Sequence, residues 1–270
     1  MQYVWSPTLG TFEDSPEKIW GVTKYKSKLK PTVFCGIYSL KDLQKVKQHK
    51  GKRYVWWCGT DITRLIKGYW LDEKGKKRVS PQKTADWISS HCESWVENYV
   101  EADALAKLGI NAHVCPSFLG DVKQFKIKYK FHKKPKLYTS VSGDDFKLYG
   151  WHRIDKLAKE NPKVEFHLYG NTKKWKSKYK NVIVHGRVPK EQFNKEIEDM
   201  QGGLRLTTFD GFSEIIAKSV LMGQYPVSLI DYPYTLDPRD IELLFELKEP
   251  NKEGRKYYLQ EINNFPWAKK

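Results

Sequence analysis

Residues 209–228 read FDGFSEIIAKSVLMGQYPVS, and three charged side chains in that stretch, Asp210, Glu214 and Lys218, stand four apart. Ser213 is a good helix N-cap and Gly223 a good residue just past a helix end. The spacing therefore predicts a helix that starts at Ser213 and stops before Gly223. A helix that begins directly after a parallel strand points its free N–H groups at the carboxyl edge of the sheet, where open α/β sheets bind ligands. Gly211 lets the backbone approach closely, so a phosphate fits beside it. Asp210 stands just outside the helix start, where an ionised carboxylate meets a sugar hydroxyl. An ordinary βα turn has the same pattern, so the residues alone leave both readings open. Glu214 and Lys218 also form an i,i+4 pair in the favourable order, worth about 0.2–0.5 kcal/mol on a surface.

The surrounding elements have to present this turn. Residues 32–38 (TVFCGIY) read as a buried strand, and SLKDLQKVKQHK as a helix with Ser39 as N-cap and Gly51 beyond its end. KRYVWWCGTDI (52–62) reads as a strand ending in a Gly-Thr-Asp turn, 68–83 as a polar loop, and ADWISSHCES as a third strand. WVENYVEADALAKLGI reads as a helix ending at Gly109, and NAHVCPSF as a fourth strand. In the second half KLYTSVS, VEFHLYGN, NVIVHGRV, LRLTTF and YPVSLI read as strands. FKLYGWHRIDKLAKENP and PKEQFNKEIEDM read as helices between them. Alternation of strand and helix argues a parallel α/β sheet in each half.

Between the halves, Phe125, Ile127, Tyr129 and Phe131 alternate with Lys126, Lys128 and Lys130. That is a period of two with one basic face, expected as a strand-like ribbon. Its lysines would meet an anionic surface such as an acidic membrane, or would only guard an edge strand against sheet-to-sheet association.

Composition bounds the rest. The 270 residues are 40% hydrophobic and 14% aromatic, which is globular rather than disordered, and the net charge is +16. Anionic partners follow from that charge: nucleic acid, phosphorylated small molecules or an acidic membrane. A lysine-coated soluble surface is the plainer alternative. Cys35, Cys58, Cys92 and Cys115 contain no CxxC pair and lie in apolar stretches, which suits buried free thiols in a reducing compartment. No apolar run approaches about 18 residues and the N-terminus has no apolar signal core, so a cytoplasmic protein is expected. Neither GxGxxG nor GxxxxGK[ST] occurs, and GxSxG, HExxH and DxD are absent too.

The opening stretch resembles the motif of retaining GT-B glycosyltransferases of the family-4 type, roughly E-G-F-S-E-x-x-x-E-A-x-A-x-G-x-P-V. Here it reads Asp210, Gly211, Phe212, Ser213, Glu214, then Lys218, Ser219, Gly223, Pro226 and Val227. HGRVPKEQF, with Arg187 and Val188, resembles the family's G-x-V-x-x-x-x-L segment, and VEFHLYGN the strand before it. VSGDDFKLYG, with Gly143 and Lys147, resembles its G-R-L-x-x-x-K-G phosphate loop. WWCGTDI, with Gly59 and Asp61, resembles its H-x-x-G-x-D turn, and 85–121 the last strand-helix-strand of the acceptor domain. The likeness runs in order over roughly 50–230.

That resemblance implies two Rossmann-like domains facing across a cleft. They would be an acceptor-binding domain over 1–122, a basic linker over 123–135, a nucleotide-sugar domain over 136–250, and a tail over 251–270 packing back on the first domain. It implies sugar transfer from a nucleotide-sugar to a sugar, lipid-linked or protein acceptor with retention at the anomeric carbon, and no cofactor or metal site. By the same likeness Asp210 would orient the donor sugar and Lys147 would neutralise the leaving diphosphate. Gly143, Arg187, Val188, Gly211, Phe212, Ser213, Glu214 and Lys218 would line the donor site, and Gly59 and Asp61 the acceptor side. Two departures stand out. Lys218 occupies the place of the family's second carboxylate, and an ammonium donates but cannot accept. Ser142 stands where the phosphate-loop arginine is expected. These departures leave room for a degenerate, binding-only relative, while Lys147 also reads as a solvated lysine of a first helical turn. The +16 charge keeps a nucleic-acid-binding reading in view. Against it, no recognised nucleic-acid motif occurs and the lysines are spread over both halves.

Overall fold

A computed structural model describes residues 1–12, 15–68 and 79–269. Two units emerge. The first comprises Met1–Asp121, Phe209–Phe212 and Glu261–Lys270, and the second Val122–Thr208 and Ser213–Gln260.

The first unit holds strands β1 (Gln2–Trp5), β2 (Thr23–Lys24), β3 (Thr32–Cys35), β4 (Arg53–Trp56), β5 (Glu93–Val96) and β6 (Ala112–Val114). They form one sheet in the order β2-β1-β3-β4-β5-β6, with every pair parallel. Its helices are α1 (Ser15–Trp20), α2 (Leu40–Gln48), α3 (Thr60–Ile66), α4 (Pro81–His91) and α5 (Tyr99–Ala106). Parallel strands are buried on both faces, and the side chains divide accordingly. Phe34, Val55, Trp57 and Val96 pack with Leu43, Ile62, Ile88 and Leu105 on one side. Tyr3, Val33, Tyr54 and Trp56 pack with Trp20, Phe265 and Trp267 on the other. Trp20 stands edge-on to Trp56 at 5.1 Å, and its indole N–H donates to Asn263 Oδ1 at 3.1 Å. The C-terminal aromatics thereby complete this layer.

The second unit holds β7 (Lys136–Ser140), β8 (Glu165–Tyr169), β9 (Val182–Gly186), β10 (Gly202–Arg205) and β11 (Val227–Ser228). Their order is β11-β10-β7-β8-β9, again all parallel. Helices α6 (Ile154–Glu160), α7 (Lys190–Glu196), α8 (Glu214–Leu221) and α9 (Lys252–Glu261) complete the described helices. Leu137, Phe166, Leu168 and Leu204 meet Trp151, Ile154 and Ile241 on the apolar face. The opposite face is more polar: Tyr138 donates to Gln224 at 3.1 Å, and His167 and His185 share a hydrogen bond of 2.9 Å. Burial holds the His167 imidazole down to about 4, chiefly by desolvation.

Several expectations need correction. ADWISSHCES is not a strand. Ser80 accepts from Lys83 N, Pro81 opens the helix, and Thr84, Ala85 and Ile88 bury at helical spacing, so α4 runs to His91 and β5 begins at Glu93. Trp95 and Val96 therefore belong to β5, and α5 starts only after Asn98, which caps it. The Gly-Thr-Asp turn is the start of α3, because Gly59 at φ +80° lets the chain reverse into the helix. The expected 146–162 helix is shorter. Gly150 adopts φ +76°, so α6 begins at Ile154 behind a short 3-10 turn. The strands and helix before residue 32 have no counterpart among the elements expected from the sequence. Of the 68–83 loop, residues 69–78 lie outside the described residues.

The ribbon expected over 123–134 does not form. Beyond a 3-10 turn at Val122–Gln124 the segment joins no strand. Phe125 is buried but Ile127 is exposed, so the apolar face is broken. Lys128 N donates to Met222 O, and the Tyr129 hydroxyl to Leu247 O. Lys128 meets Glu198 at 3.6 Å, Lys130 meets Asp199 at 2.8 Å and Lys134 meets Glu165 at 2.8 Å. The basic face is largely spent on ion pairs. Among the described residues no helix is long and apolar enough to cross a membrane.

Candidate functional site

In the second unit the strand order reverses between β7 and β10, and the turns that follow them lie side by side. Arg153 Nη1 donates to Leu206 O at 2.9 Å, and a Cβ on Gly150 would overlap the Leu206 carbonyl. Ligands of open α/β sheets bind beyond the strand ends at such a reversal. The turn after β7 carries Ser142, Gly143 and Lys147, all exposed, with Gly143 at φ +64° and open space around its Cα. Asp144, at φ +55°, ties this turn to the next one. Its carboxylate accepts from Thr172 N at 2.8 Å, from the Thr172 hydroxyl and from Lys173 N at 3.3 Å. The Thr172 hydrogen bonds hold the Asp144 carboxyl below its ordinary range. Arg187 is exposed and Val188 half-buried in the turn between β9 and α7.

Helix α8 starts as the sequence predicts. Ser213 accepts from Ile215 N at 3.3 Å, and Gly223 follows the helix at φ +72°. Lys218 differs from a surface pair. Its Nζ lies 3.0 Å from Glu214 Oε1, but its side chain is only 4% exposed against 48% for Glu214. It sits over the Phe193 ring at 5.0 Å. Burial lowers the ammonium's pKa while Glu214 opposes that shift. Lys218 therefore holds the Glu214 carboxylate, and Glu214 is the member of the pair that reaches solvent.

In the first unit a network of carboxylates surrounds Phe209–Phe212. Phe212 N donates to Glu97 Oε2 at 2.9 Å, and the Ser117 hydroxyl donates to Glu97 Oε1. Asn98 Nδ2 donates to Asp210 O at 2.7 Å. A Cβ on Gly211 would overlap Glu97 Oε2, so a larger residue there would displace that carboxylate. Glu101 accepts from Glu97 N at 2.9 Å through Oε2, and its own N–H donates to the capping Asn98 at 3.0 Å. Burial pushes the Glu97 and Glu101 carboxyls well up, and the neighbouring carboxylates add to it. Asp61 is fully buried, with Oδ1 accepting from Cys58 N and Ile62 N and Oδ2 from Ile37 N, at 2.9–3.1 Å. Burial raises it to about 6. Asp61 locks the ends of β3 and β4 together, and both of its oxygens are engaged inside the turn. Gly59 lies beside it, with Gly211 N 3.5 Å from where a Cβ would stand.

The residues missed by sequence reasoning are those that grip the 209–212 turn and Asp144. Asn98-Tyr-Val-Glu101 carried a signal, because Asn followed three residues later by Glu is a helix-start signature. Nothing in the sequence says that Glu97 meets residue 212, 115 positions away.

No protein-family model matches the sequence. No curated protein matches it either. Solved structures do. TarM superposes with a TM-score of 0.56 at 13% identity, over 93% of this chain and 54% of TarM. Sucrose-phosphate synthase from Thermosynechococcus elongatus gives 0.60 at 11% identity, over 96% of this chain and 76% of that one. The lipopolysaccharide outer core galactosyltransferase WaaB gives 0.58 at 10% identity, over 88% and 72%. The chain spans about half the length of TarM. Identities this low speak for the fold alone, and the neighbours are GT-B glycosyltransferases. Two parallel α/β units, matched over most of the chain by such neighbours, give this protein the GT-B fold.

Proposed function

We propose that this protein is a glycosyltransferase that moves a sugar from a nucleotide-sugar to an acceptor with retention at the anomeric carbon. The observation that carries the reading is the 209–214 turn. It joins β10 to the Ser213-capped α8 beside a strand-order reversal, with Asp210 just before the helix and Gly211 letting Glu97 pack closely against the turn. The neighbours favour a nucleotide donor. S. aureus TarM was solved with UDP, and the Anabaena protein HepE, at a TM-score of 0.51, with UDP and glucose. In the proposed reaction the sugar's anomeric carbon leaves the diphosphate oxygen and bonds to the oxygen of an acceptor hydroxyl on the same face, whose proton passes to the departing diphosphate. The departing diphosphate gains charge, which fixed amides and Lys147 stabilise, and Asp210 orients the sugar. The second unit would bind the donor and the first the acceptor, without a metal.

A binding-only reading also has an observation behind it: Lys218 is buried against Phe193 and paired with Glu214, where a second carboxylate is expected. Calorimetry with UDP, GDP and ADP, followed by a donor-hydrolysis assay across nucleotide-sugars, separates the readings. A transferase binds one nucleoside diphosphate below millimolar concentration and hydrolyses its sugar conjugate. Asp210→Ala should reduce turnover far more than nucleoside diphosphate affinity. Binding without any hydrolysis or transfer favours the binding-only reading, and no binding at all removes both. Lys218→Ala adds a second measure. A tenfold loss of affinity, about 1.4 kcal/mol, means that the pair bears on the nucleotide, and an unchanged affinity means that it serves α8 alone.

A further inference from the structure

Residues 173–180 read KKWKSKYK. In the turn between β8 and β9 burial alternates residue by residue from Lys174 onward. Trp175, Ser177 and Tyr179 are half-buried, while Lys174, Lys176, Lys178 and Lys180 are exposed. Each inward side chain has an anchor. Trp175 packs 4.8 Å from Phe146 and 5.6 Å from Trp151, ring to ring. Ser177 donates to Asp155 Oδ1 at 2.5 Å and accepts from Tyr179 N at 3.1 Å. Tyr179 packs on the second unit's apolar core. Among the described residues none of the four lysines makes an ion pair, and Lys178 lies over the Tyr179 ring at 5.4 Å.

We propose that this comb of lysines is a docking strip for a linear phosphodiester polymer, recognised through its backbone. Lys174, Lys176, Lys178 and Lys180 are the outward members of this turn, so an unpaired cation recurs at every second residue. That is the form of a chain with one charge per repeating unit. The inward aromatics decide between anionic partners. Stacking of bases needs exposed aromatic faces, whereas Trp175 is packed against Phe146 and Trp151 and Lys178 lies over the Tyr179 ring. A membrane would use an apolar wedge, whereas the apolar side chains of this turn are half-buried against the second unit's core. The fully exposed side chains here are charged.

Fluorescence anisotropy with two labelled 20-unit probes tests this, one oligothymidylate and one abasic oligodeoxyribose phosphate. Sedimentation with phosphatidylserine vesicles runs beside it. Both polymers should bind with similar affinity at low salt, with log K falling against log salt at a slope near −3 for four contacts. The K174Q/K176Q/K178Q/K180Q variant, shown folded by its melting curve, should lose at least tenfold and most of the slope. K128Q/K130Q should bind as the wild type does. The proposal is overturned if the fourfold variant keeps wild-type affinity, if the base-bearing probe binds much better than the abasic one, or if neither polymer binds. Sedimentation with vesicles in the absence of polymer binding would move the partner to a lipid surface and equally overturn it.

Discussion

The stretches 123–134 and 173–180 both lie in the second unit, and both interleave lysines with aromatic residues. Their surroundings differ. The first is laid beside the acidic side chains that follow α7 and at the start of β8, so Lys128, Lys130 and Lys134 find Glu198, Asp199 and Glu165. The second is pinned by Trp175, Ser177 and Tyr179, and its lysines face solvent without carboxylates. Alternation in a sequence thus says which side chains can share a face. Whether that face keeps its charge depends on what the fold lays against it.

Loss of the anchor should do the most damage. Trp175→Ala removes a half-buried ring from the Phe146–Trp151 cluster and should cost about 3 kcal/mol in urea denaturation, near the lower end for such truncations. It should also weaken polymer binding by freeing the loop. A cost below about 1 kcal/mol would mean that the loop holds its alternation without the ring.

Neutralisation comes next. The Lys130 hydrogen bond, helped by Lys136, holds the Asp199 carboxyl down to about 2. A carboxyl lowered on folding stabilises above its unfolded value, near 3.9, and that stability disappears as pH falls through the folded value. Asp199 is 48% exposed, so solvent screening limits the effect to about 1 kcal/mol. Asp199→Ala should lose that amount at pH 7, with the gap to wild type closing between about pH 4 and pH 2. It should also hand Lys130 and Lys136 to anionic probes. A gap that persists below pH 2 would show that Asp199 acts by packing rather than by charge.

The smallest effect belongs to Lys128→Gln. Both partners of its 3.6 Å pair are about half exposed, so stability should change by less than about 0.5 kcal/mol. A larger loss in the same denaturation series would show that 123–134 depends on its charges individually.

The same contrast governs the candidate site. Helix α8 was legible because its signals are local: Ser213 at the start, Gly223 after the end and apolar residues between. Helix α4 was misread because ADWISSH is short enough to fit either period, and Ser80 and Pro81 decide it from outside the apolar run. The Glu214–Lys218 spacing was visible, yet not the burial of Lys218 against Phe193, which arrives from α7.

By itself the sequence determined the elements whose causes lie within a few residues. These are the alternation of strands and helices that makes both sheets parallel, the capped start of α8, and the glycines at turns that need positive φ. Tertiary structure decided what those residues face. It set Glu97 against Phe212, fixed both oxygens of Asp61 inside a turn, paired the lysines of 123–134 and left those of 173–180 in water. The physical reason is range. Backbone conformation responds to neighbours along the chain, whereas desolvation and charge pairing depend on atoms brought together from distant segments, and no spacing in the sequence records them.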